Sequence, residues 1–218
     1  EEQGVPRNDD FNGVDQAGCG HYQFTQKNGR RWSTSSAYLN PARGRSNLEI
    51  RTKVQTKRII FEEKRAVGVE TERSGRSETI RARHVIVSCG AIGSPQLLEL
   101  SGVGDSARLS ALGIDVHHHL PDVGEHLQDH LLCKVVYGTR ADLSINREVS
   151  GARLVPAALK WFFARKGPLT TGSAPIGAFW YTREGLEAPD IQVHFASGAT
   201  LYNNAGKIRA LAEPAMTA

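Results

Sequence analysis

Side chains that commonly bind metals are concentrated between residues 117 and 130. They are His117, His118, His119, His126, Asp129 and His130. Imidazole and carboxylate groups together suit divalent transition metals. However, consecutive residues on an extended segment point to opposite sides, so the three adjacent histidines cannot all face one ion, and no cysteine joins them. The sequence therefore predicts no metal site, while a divalent-metal-binding or structural module built on this cluster stays open as an alternative.

A glycine-rich stretch at residues 90–104, GAIGSPQLLELSGVG, could hold a different kind of ligand. It follows an apolar run at residues 84–89 that predicts an interior strand. Ser94 can cap a helix and Pro95 suits a first helical turn, so a helix should begin there. A strand that passes through a glycine turn into a helix is a corner at which many domains bind nucleotides. Gly90 and Gly93 would either let the backbone approach such a ligand closely or only turn the chain.

Strand and turn signals dominate the chain before this corner. Asn28-Gly29 predicts a type I′ hairpin, and residues 33–39 predict a short helix closed by Pro41. Alternation of apolar and polar residues predicts four antiparallel strands with one solvent-exposed face. They cover residues 48–52, 57–61, 66–70 and 78–81.

Helices and strands are also predicted after the corner. A helix over residues 105–112 should direct Ala107, Leu109 and Leu112 toward a core. Residues 120–130, which follow the three histidines, predict a loop because their Pro and Gly interrupt regular structure. The remaining predicted elements are a strand over 131–138, a helix over 154–166 with Leu154, Ala158, Trp161 and Phe162 on one side, and strands over 178–182 and 190–195.

The composition is that of a folded globular chain. Of the 218 residues, 39% are hydrophobic and 23% are charged. The net charge is +4, but the basic residues are scattered and no aromatic stacking series accompanies them, so no nucleic-acid partner is predicted. No apolar run approaches the roughly 18 residues that a membrane span needs.

Three widely spaced cysteines argue against a disulfide framework. Cys19, Cys89 and Cys133 therefore predict a reducing compartment, with Cys89 as a small core residue. The amino terminus carries neither an initiator Met nor the pattern of a signal peptide, so we expect a fragment from the middle of a longer cytoplasmic protein.

The glycine-rich stretch resembles the second signature of the glucose-methanol-choline (GMC) family of flavin-dependent alcohol oxidoreductases. The matched positions are Gly90, Ala91, Ser94, Pro95, Leu97, Leu98, Ser101, Gly102, Val103 and Gly104. Further segments similar to the family follow in the expected order, at residues 10–13, 27–33, 37–39, 45–48, 66–69, 120–124, 127–130, 167–170 and 189–195. The nearest subgroup is the bacterial choline dehydrogenase-like and aliphatic or aromatic alcohol dehydrogenases.

The resemblance implies an α+β fold, in which an α/β flavin-binding part is joined to a mixed sheet-and-helix substrate domain. On this basis residues 1–43 bridge the two domains, residues 44–130 belong to the FAD-binding domain and residues 131–218 belong to the substrate-binding domain. Both domains are expected to be incomplete here.

Two family features have no counterpart in this chain. The phosphate-binding GxGxxG turn is missing, because Gly18-Cys-Gly20 is too short a match. The catalytic His of the family lies near the carboxyl terminus of the whole enzyme, beyond the segment that this chain resembles. We therefore expect no catalytic residue in this chain, and no activity from the isolated chain.

The family's cofactor is FAD, and by resemblance the stretches near residues 54–56 and 88–91 form part of the adenine side of its pocket. Five residues in these stretches are predicted to contact it: Val54, Thr56, Ser88, Gly90 and Ala91. A backbone amide and carbonyl near Thr56 would recognise the adenine edge. In the alternative interpretation, residues 52–58 are only a strand that crosses the domain.

The implied reaction converts a small alcohol, whether choline-like, aliphatic or aromatic, to the aldehyde by hydride transfer to flavin N5. His194 is the candidate for lining the substrate pocket. The electron acceptor stays unassigned. A peripheral position at the inner membrane is the alternative to a purely cytoplasmic one.

Overall fold

The computed structural model describes residues 4–140, 144–172, 174–202, 208–210 and 215–218. The strands, in chain order, are β1 (Gly18–His21), β2 (Gln26–Lys27), β3 (Arg30–Arg31), β4 (Gln55–Glu62), β5 (Arg65–Arg73), β6 (Arg76–Arg81), β7 (Val103–Gly104), β8 (His118–His119), β9 (Val136–Gly138), β10 (Ile176–Trp180), β11 (Ile191–Phe195), β12 (Thr200–Tyr202), β13 (Ile208–Ala210) and β14 (Ala215–Thr217). The α-helices are α1 (Asn40–Ala42), α2 (Gly90–Leu100), α3 (Ser106–Ala111) and α4 (Leu154–Ala164).

The chain divides into two compact units. The central unit is continuous and covers Arg45–Leu131, whereas the terminal unit combines Glu1–Gly44 with Leu132–Ala218. Each unit contains helices and sheets, so the fold is mixed α+β. The assignment of the central unit to the flavin and of the terminal unit to the substrate remains a prediction.

An antiparallel sheet in the order β4-β5-β6 forms the frame of the central unit. Ile59, Val69 and Ile80 are neighbours across the three strands, and Ile59 is buried. Residues with positive φ at Glu63 and Ser74 turn the chain between the strands. Three of the four strands predicted before the glycine-rich stretch are thereby confirmed.

The fourth of these strands, predicted over residues 48–52, is wrong. Within the described residues this segment pairs with no strand, and the sheet begins only at Gln55. Lys53 has φ 57°, which breaks the extended path between the segment and β4. The segment is held instead by Arg51, which donates to Glu49 at 2.6 Å and to Glu78 at 2.9 Å.

A buried hydroxyl holds α2 against β4. Ser101, just after the helix, accepts the N–H of Ile59 at 2.8 Å and donates to the carbonyl of Leu97 at 2.5 Å. Gly102 then turns the chain with φ 82°, and a Cβ at this position would lie only 2.4 Å from the Asp115 carbonyl oxygen. The predicted stop of the helix at this point is confirmed.

The start of α2 differs from the prediction. The helix begins at Gly90, so Pro95 lies in its second turn rather than its first. Gly90 adopts φ 83°, which turns the chain into the helix before Ser94 is reached. The Ser94 hydroxyl accepts the N–H of Cys89 at 3.1 Å, so its hydrogen-bond partner is the residue that precedes the helix.

The interior strand predicted over residues 84–89 does not form among the described residues. No strand there pairs with this segment, and Ile86 is 88% exposed. An apolar run becomes a strand only where a neighbour accepts its backbone hydrogen bonds. Cys89 is exposed, so its predicted place in a core is wrong as well.

Helix α3 is confirmed, but only one of its predicted core residues is buried. Asp105 caps the helix by accepting the N–H of Arg108 at 2.8 Å. Leu109 is fully buried, whereas Ala107 and Leu112 are exposed, because a helix of six residues directs few positions to one side. After it, β8 pairs in parallel with β7.

In the terminal unit, β10 lies between β1 and β11 in an antiparallel sheet. Phe11 packs on this sheet, with its ring centroid 5.0 Å from that of Phe179 and 5.4 Å from that of Tyr22. Gly177 makes room for the Tyr22 ring, since a Cβ there would lie 2.1 Å from it. Both strands predicted in this region are confirmed, although the first begins and ends two residues earlier.

The predicted hairpin is confirmed at Asn28 and Gly29, which have φ 51° and 64° and join β2 to β3. The helix predicted over residues 33–39 was expected to end at Pro41, but the helical path continues past this proline. A π-helical turn over Ser35–Leu39 leads directly into α1, and Pro41 lies in the first turn of α1, where proline is tolerated. Of the strand predicted over residues 131–138, only β9 pairs, with β14.

Helix α4 is confirmed, but its buried side differs from the predicted one. Ala157 is buried, and the Trp161 indole N–H donates to the Gly29 carbonyl at 2.9 Å. Leu154 and Phe162 are exposed because these contacts turn another side of the helix toward the unit. Arg165 ends the helix with φ 54°.

Candidate cofactor site

A cavity of about 240 Å³ lies in the central unit between the start of β4 and α2. Its walls are Val54, Gln55, Thr56, Cys89, Gly93, Gln96, Leu97 and Leu100. The helix positions recur at intervals of three and four residues, so they share one side of α2. The cavity combines apolar walls with polar backbone and amide groups, as small-molecule sites commonly do.

The helix end beside the cavity has free hydrogen-bond donors. The first four N–H groups of a helix have no acceptor within it, and the Cys89 side chain does not cap α2. At Gly90, a Cβ would meet no atom within 4 Å, so the approach to the helix end is open. The positive end of the helix dipole adds to these donors. Together they suit an anionic or strongly polar group of a ligand.

Thr56 lies on the other wall. Thr56 pairs with Thr71 in the sheet, and the pairing register shifts immediately after it. Its backbone carbonyl accepts the side-chain amide N–H of Gln55 at 3.1 Å. An exposed primary amide therefore reaches this carbonyl, and the amino group of an adenine is a donor of the same kind.

Charged side chains tie the loop at residues 120–125 to α2 and α3. Arg108 donates to Glu99 at 2.7 Å and to the Val123 carbonyl at 3.0 Å, and it also pairs with Glu125. The hydrogen bond to Glu125 is the main reason why the pKa of Arg108 is raised above its ordinary value. This guanidinium therefore stays charged at any ordinary pH.

The central unit carries a second charged group near Val54. The hydrogen bond from Arg51 lowers the pKa of Glu49, and the same arginine pairs with Glu78. The two carboxylates are largely exposed and Arg51 is 38% exposed. The group therefore stabilises this segment only modestly, as exposed ion pairs do.

Residues 1–132 match the GMC oxidoreductase family. The chain belongs to this family. The predicted family is thereby confirmed, and it is a family of oxidoreductases.

Choline dehydrogenases are among the relatives of this GMC chain. It is 42% identical over 203 residues to the oxygen-dependent choline dehydrogenase of Vibrio vulnificus, covering 93% of this chain and 36% of that protein. It is 40% identical over 196 residues to the mitochondrial choline dehydrogenase of Homo sapiens, covering 89% of this chain and 33% of that one. The chain therefore spans about a third of the length of these relatives.

Solved structures share the fold at low sequence identity. A formate oxidase superposes with a TM-score of 0.84 at 20% identity, over 99% of this chain and 41% of that one. A pyridoxine 4-oxidase from Mesorbium loti superposes with a TM-score of 0.74 at 22% identity, over 99% and 39%. These likenesses support the mixed α+β fold of the GMC chain. None of its described helices is long and apolar enough to cross a bilayer.

The cavity of the GMC chain includes two of the five residues predicted to contact FAD, Val54 and Thr56. The other three, Ser88, Gly90 and Ala91, are exposed next to Cys89 and are not among its wall residues. Their contact with the cofactor stays a prediction.

Three wall residues were not predicted to contact the cofactor: Gln96, Leu97 and Leu100. They follow Gly93 at helical spacing, and this periodicity was the signal that could have found them. The wall residues Gln55, Cys89 and Gly93 lie in the stretches, or at the glycine, that were predicted to approach the cofactor.

His194 lies in β11 opposite Gly177, with its ring centroid 5.4 Å from that of Tyr22. The Tyr22 hydroxyl accepts from Gln192 at 3.1 Å and donates to the Val193 carbonyl at 3.4 Å. His194 is exposed on this sheet, and its contact with a substrate remains a prediction.

The histidines between residues 117 and 130 have separate partners. The His117 ring stacks on Phe61 at 4.3 Å, whereas His119 Nδ1 accepts the N–H of Ser106 at 3.1 Å. His126 Nε2 lies 3.4 Å from Asp122. In the part of the chain that the structure describes, no three His, Cys, Asp or Glu side chains lie close enough to hold a metal.

Proposed function

We propose that this chain belongs to an FAD-dependent alcohol dehydrogenase that oxidises a CH–OH donor to the aldehyde. FAD supplies the hydride acceptor, the flavin N5 atom. The observation that carries the proposal is the cavity between β4 and α2, because it brings Val54 and Thr56 together with the open end of a helix. Membership of the GMC family supports the same assignment.

Within this cavity, the chain holds the adenine side of the cofactor. Val54, Leu97 and Leu100 provide apolar surface for the faces of a planar ring. The Thr56 backbone recognises the edge of that ring. Its carbonyl already accepts an N–H from the side-chain amide of Gln55, which is a donor of the same kind as the adenine amino group. The N–H groups at the start of α2, together with Ser88, Gly90 and Ala91, bind more polar parts of the cofactor.

The substrate is a small alcohol. The identities of about 40% to proteins named choline dehydrogenase favour a choline-like alcohol, with aliphatic and aromatic alcohols as further candidates. His194 contributes to the substrate side from β11, where it stands in a cluster with Tyr22. No residue of this chain is proposed as the catalytic base.

The cofactor assignment is tested by filling the cavity of the full-length protein that contains this chain. Gly93→Leu adds a side chain at a wall position whose Cβ would lie 3.1 Å from the Cβ of Cys89. We expect the dissociation constant for FAD, measured by flavin fluorescence, to rise by about tenfold or more. Gly44→Leu is the matched control, because a Cβ there meets nothing within 4 Å. Equal FAD affinity in both variants would refute the proposed cavity.

The reaction is tested by anaerobic mixing of the same protein with choline, an aliphatic alcohol and benzyl alcohol. At least one alcohol should bleach the flavin absorbance and yield its aldehyde. If no alcohol reduces the bound flavin, the proposed dehydrogenase activity is wrong even where FAD binding is normal.

A further inference from the structure

The Tyr22 side chain lies across β10 and reaches β11. The Tyr22 backbone N–H donates to the Pro175 carbonyl at 3.0 Å, immediately before β10 begins. The hydroxyl at the far end of the ring donates to the Val193 carbonyl at 3.4 Å and accepts from the Gln192 side-chain amide at 3.1 Å. The tyrosine is therefore held at both ends, by the start of β10 and by β11.

Gly177 gives the Tyr22 ring room to cross β10. A Cβ on Gly177 would overlap the ring, so only glycine fits at this position. In the sheet, Gly177 pairs with His194, and paired residues of antiparallel strands project from the same face. The ring that covers Gly177 thus meets the His194 imidazole, with centroids 5.4 Å apart and ring planes inclined by 38°.

Buried aromatic packing supports the ring. Phe11 is buried, and its ring centroid lies 5.4 Å from that of Tyr22 and 5.0 Å from that of Phe179. Every one of these contacts lies within the terminal unit. The place of the Tyr22 ring beside His194 therefore follows from the packing of that unit.

We propose that Tyr22 is a positioning residue that orients the His194 imidazole toward the alcohol substrate. The inference rests on the proposed function, in which His194 lies on the substrate side. A histidine side chain rotates about two bonds, and a neutral imidazole has one donor and one acceptor nitrogen. The rotation therefore decides which nitrogen meets the substrate hydroxyl, and a ring packed beside the imidazole restricts it.

The hydroxyl of Tyr22 favours positioning over mere filling of space. A ring that only covered Gly177 would need no hydroxyl. The two hydrogen bonds of this hydroxyl instead go to Gln192 and Val193, the two residues that precede His194 in β11. Tyr22 thus fixes the backbone that carries the imidazole as well as the space beside the imidazole.

The contact is tested without activity by diethyl pyrocarbonate, which modifies accessible imidazole nitrogens. The full-length protein that contains this chain is treated, and the modification of His194 is followed by peptide mass spectrometry. Tyr22→Ala uncovers the imidazole and should speed its modification severalfold, whereas Tyr22→Phe keeps the ring and should modify as the parent protein does. An unchanged rate in Tyr22→Ala overturns the proposal. So does a His194 that the reagent cannot reach in any variant, because it then lines no pocket open to a small molecule.

The role in the reaction is tested by a double-mutant cycle on kcat/KM, with whichever alcohol reduces the flavin fastest. Tyr22→Ala should lower kcat/KM by about tenfold while His194 is present. In a His194→Ala background, Tyr22→Ala should cause no further loss, because it acts through the imidazole. Tyr22→Phe should recover most of the parent value. Losses that multiply independently overturn the positioning role.

Phe179→Leu is the matched control, since it removes a ring of the same sheet whose aromatic contact is with Phe11. It should leave the modification of His194 unchanged, and its loss in kcat/KM should combine independently with that of His194→Ala. A Phe179→Leu variant that reproduces Tyr22→Ala in both measurements overturns the proposal, because the effect then comes from a loosened sheet.

Failure of the proposed function gives a different result from failure of the inference. If the parent protein oxidises no alcohol, the proposed function is wrong and the substrate role of His194 falls with it. If the parent protein oxidises an alcohol but the cycle shows no coupling, the positioning role of Tyr22 alone is wrong.

Discussion

Ser101 and Ile59 are joined by a buried hydrogen bond that fixes the end of α2 on the middle of β4. The hydroxyl oxygen accepts the Ile59 N–H at 2.8 Å while the hydroxyl hydrogen goes to the Leu97 carbonyl. The same helix and strand form the walls of the candidate cofactor cavity. One side chain thus sets the spacing of the cavity from outside it.

Ser101→Ala leaves the Ile59 N–H buried without an acceptor. The free energy of opening β4 should fall by about 1–3 kcal/mol, measured by hydrogen exchange of the peptide that covers Gln55–Glu62. Ser110→Ala on α3 is the control, because Ser110 is exposed and should change exchange by less than about 0.5 kcal/mol. Equal protection in the two variants would contradict the role of this bond.

Substitutions at Gly102 and Gly113 distinguish the cost of backbone strain from the cost of a steric clash, because the two glycines have similar φ angles and different surroundings. Gly102→Ala places a Cβ about 2.4 Å from the Asp115 carbonyl oxygen at φ 82°. Gly113→Ala has φ 71° but meets no atom within 4 Å. In urea unfolding, Gly113→Ala should cost about 1 kcal/mol and Gly102→Ala at least about twice as much. A larger loss at Gly113 would show that the turn after α2 is not as tight as described.

Asp190 gives the β10–β11 connection a dependence on pH. The Thr182 hydroxyl donates to this carboxylate at 2.5 Å and the Thr182 N–H at 2.8 Å, so the pKa of Asp190 is lowered from 3.8. A lowered pKa means that the stabilisation is complete above the unfolded value and is lost as the pH falls through the folded one. Thr182→Val should raise the pKa of Asp190 in an NMR titration, whereas Thr182→Ser should preserve it. An unchanged pKa in Thr182→Val would show that the hydroxyl is not the main cause.

Gln55 competes with the proposed cofactor for one acceptor. Its side-chain amide occupies the Thr56 carbonyl that we assign to the adenine edge. Gln55→Ala should therefore tighten FAD binding by about two- to tenfold, the value of one ordinary hydrogen bond. Gln26→Ala, an exposed change in β2, should leave the affinity unaltered. Weaker binding by Gln55→Ala would mean that Gln55 contacts the cofactor itself.

Local signals in the sequence predicted the elements that depend on local interactions. Asn28-Gly29 forms a hairpin turn, Asp105 caps α3 and Gly102 ends α2. Each of these residues interacts only with residues a few positions away in sequence. The GMC motif placed the family through the same stretch that forms α2. The α+β class was implied by the resemblance to that family.

The predictions that failed depend on partners distant in sequence. Residues 84–89 have the composition of a strand but no strand beside them in the described chain, and Phe162 has the right helical spacing but faces outward. For the cavity, Val54 and Thr56 were found through family resemblance. Gln96 was missed because only the tertiary contact of α2 with β4 brings it to the wall. The periodicity of apolar residues shows that a helix or strand has an apolar side. Whether that side is buried, and against which residues, depends on tertiary packing.

The close fit of Tyr22 over Gly177 also sets an order of events during folding. Tyr22 reaches the Val193 carbonyl across 171 residues of chain, and the whole central unit lies within that span. On the ribosome, Arg45–Leu131 is therefore complete while β1 still lacks β10. Closing the sheet of the terminal unit costs less loop entropy when Arg45–Leu131, which lies inside that loop, has already folded.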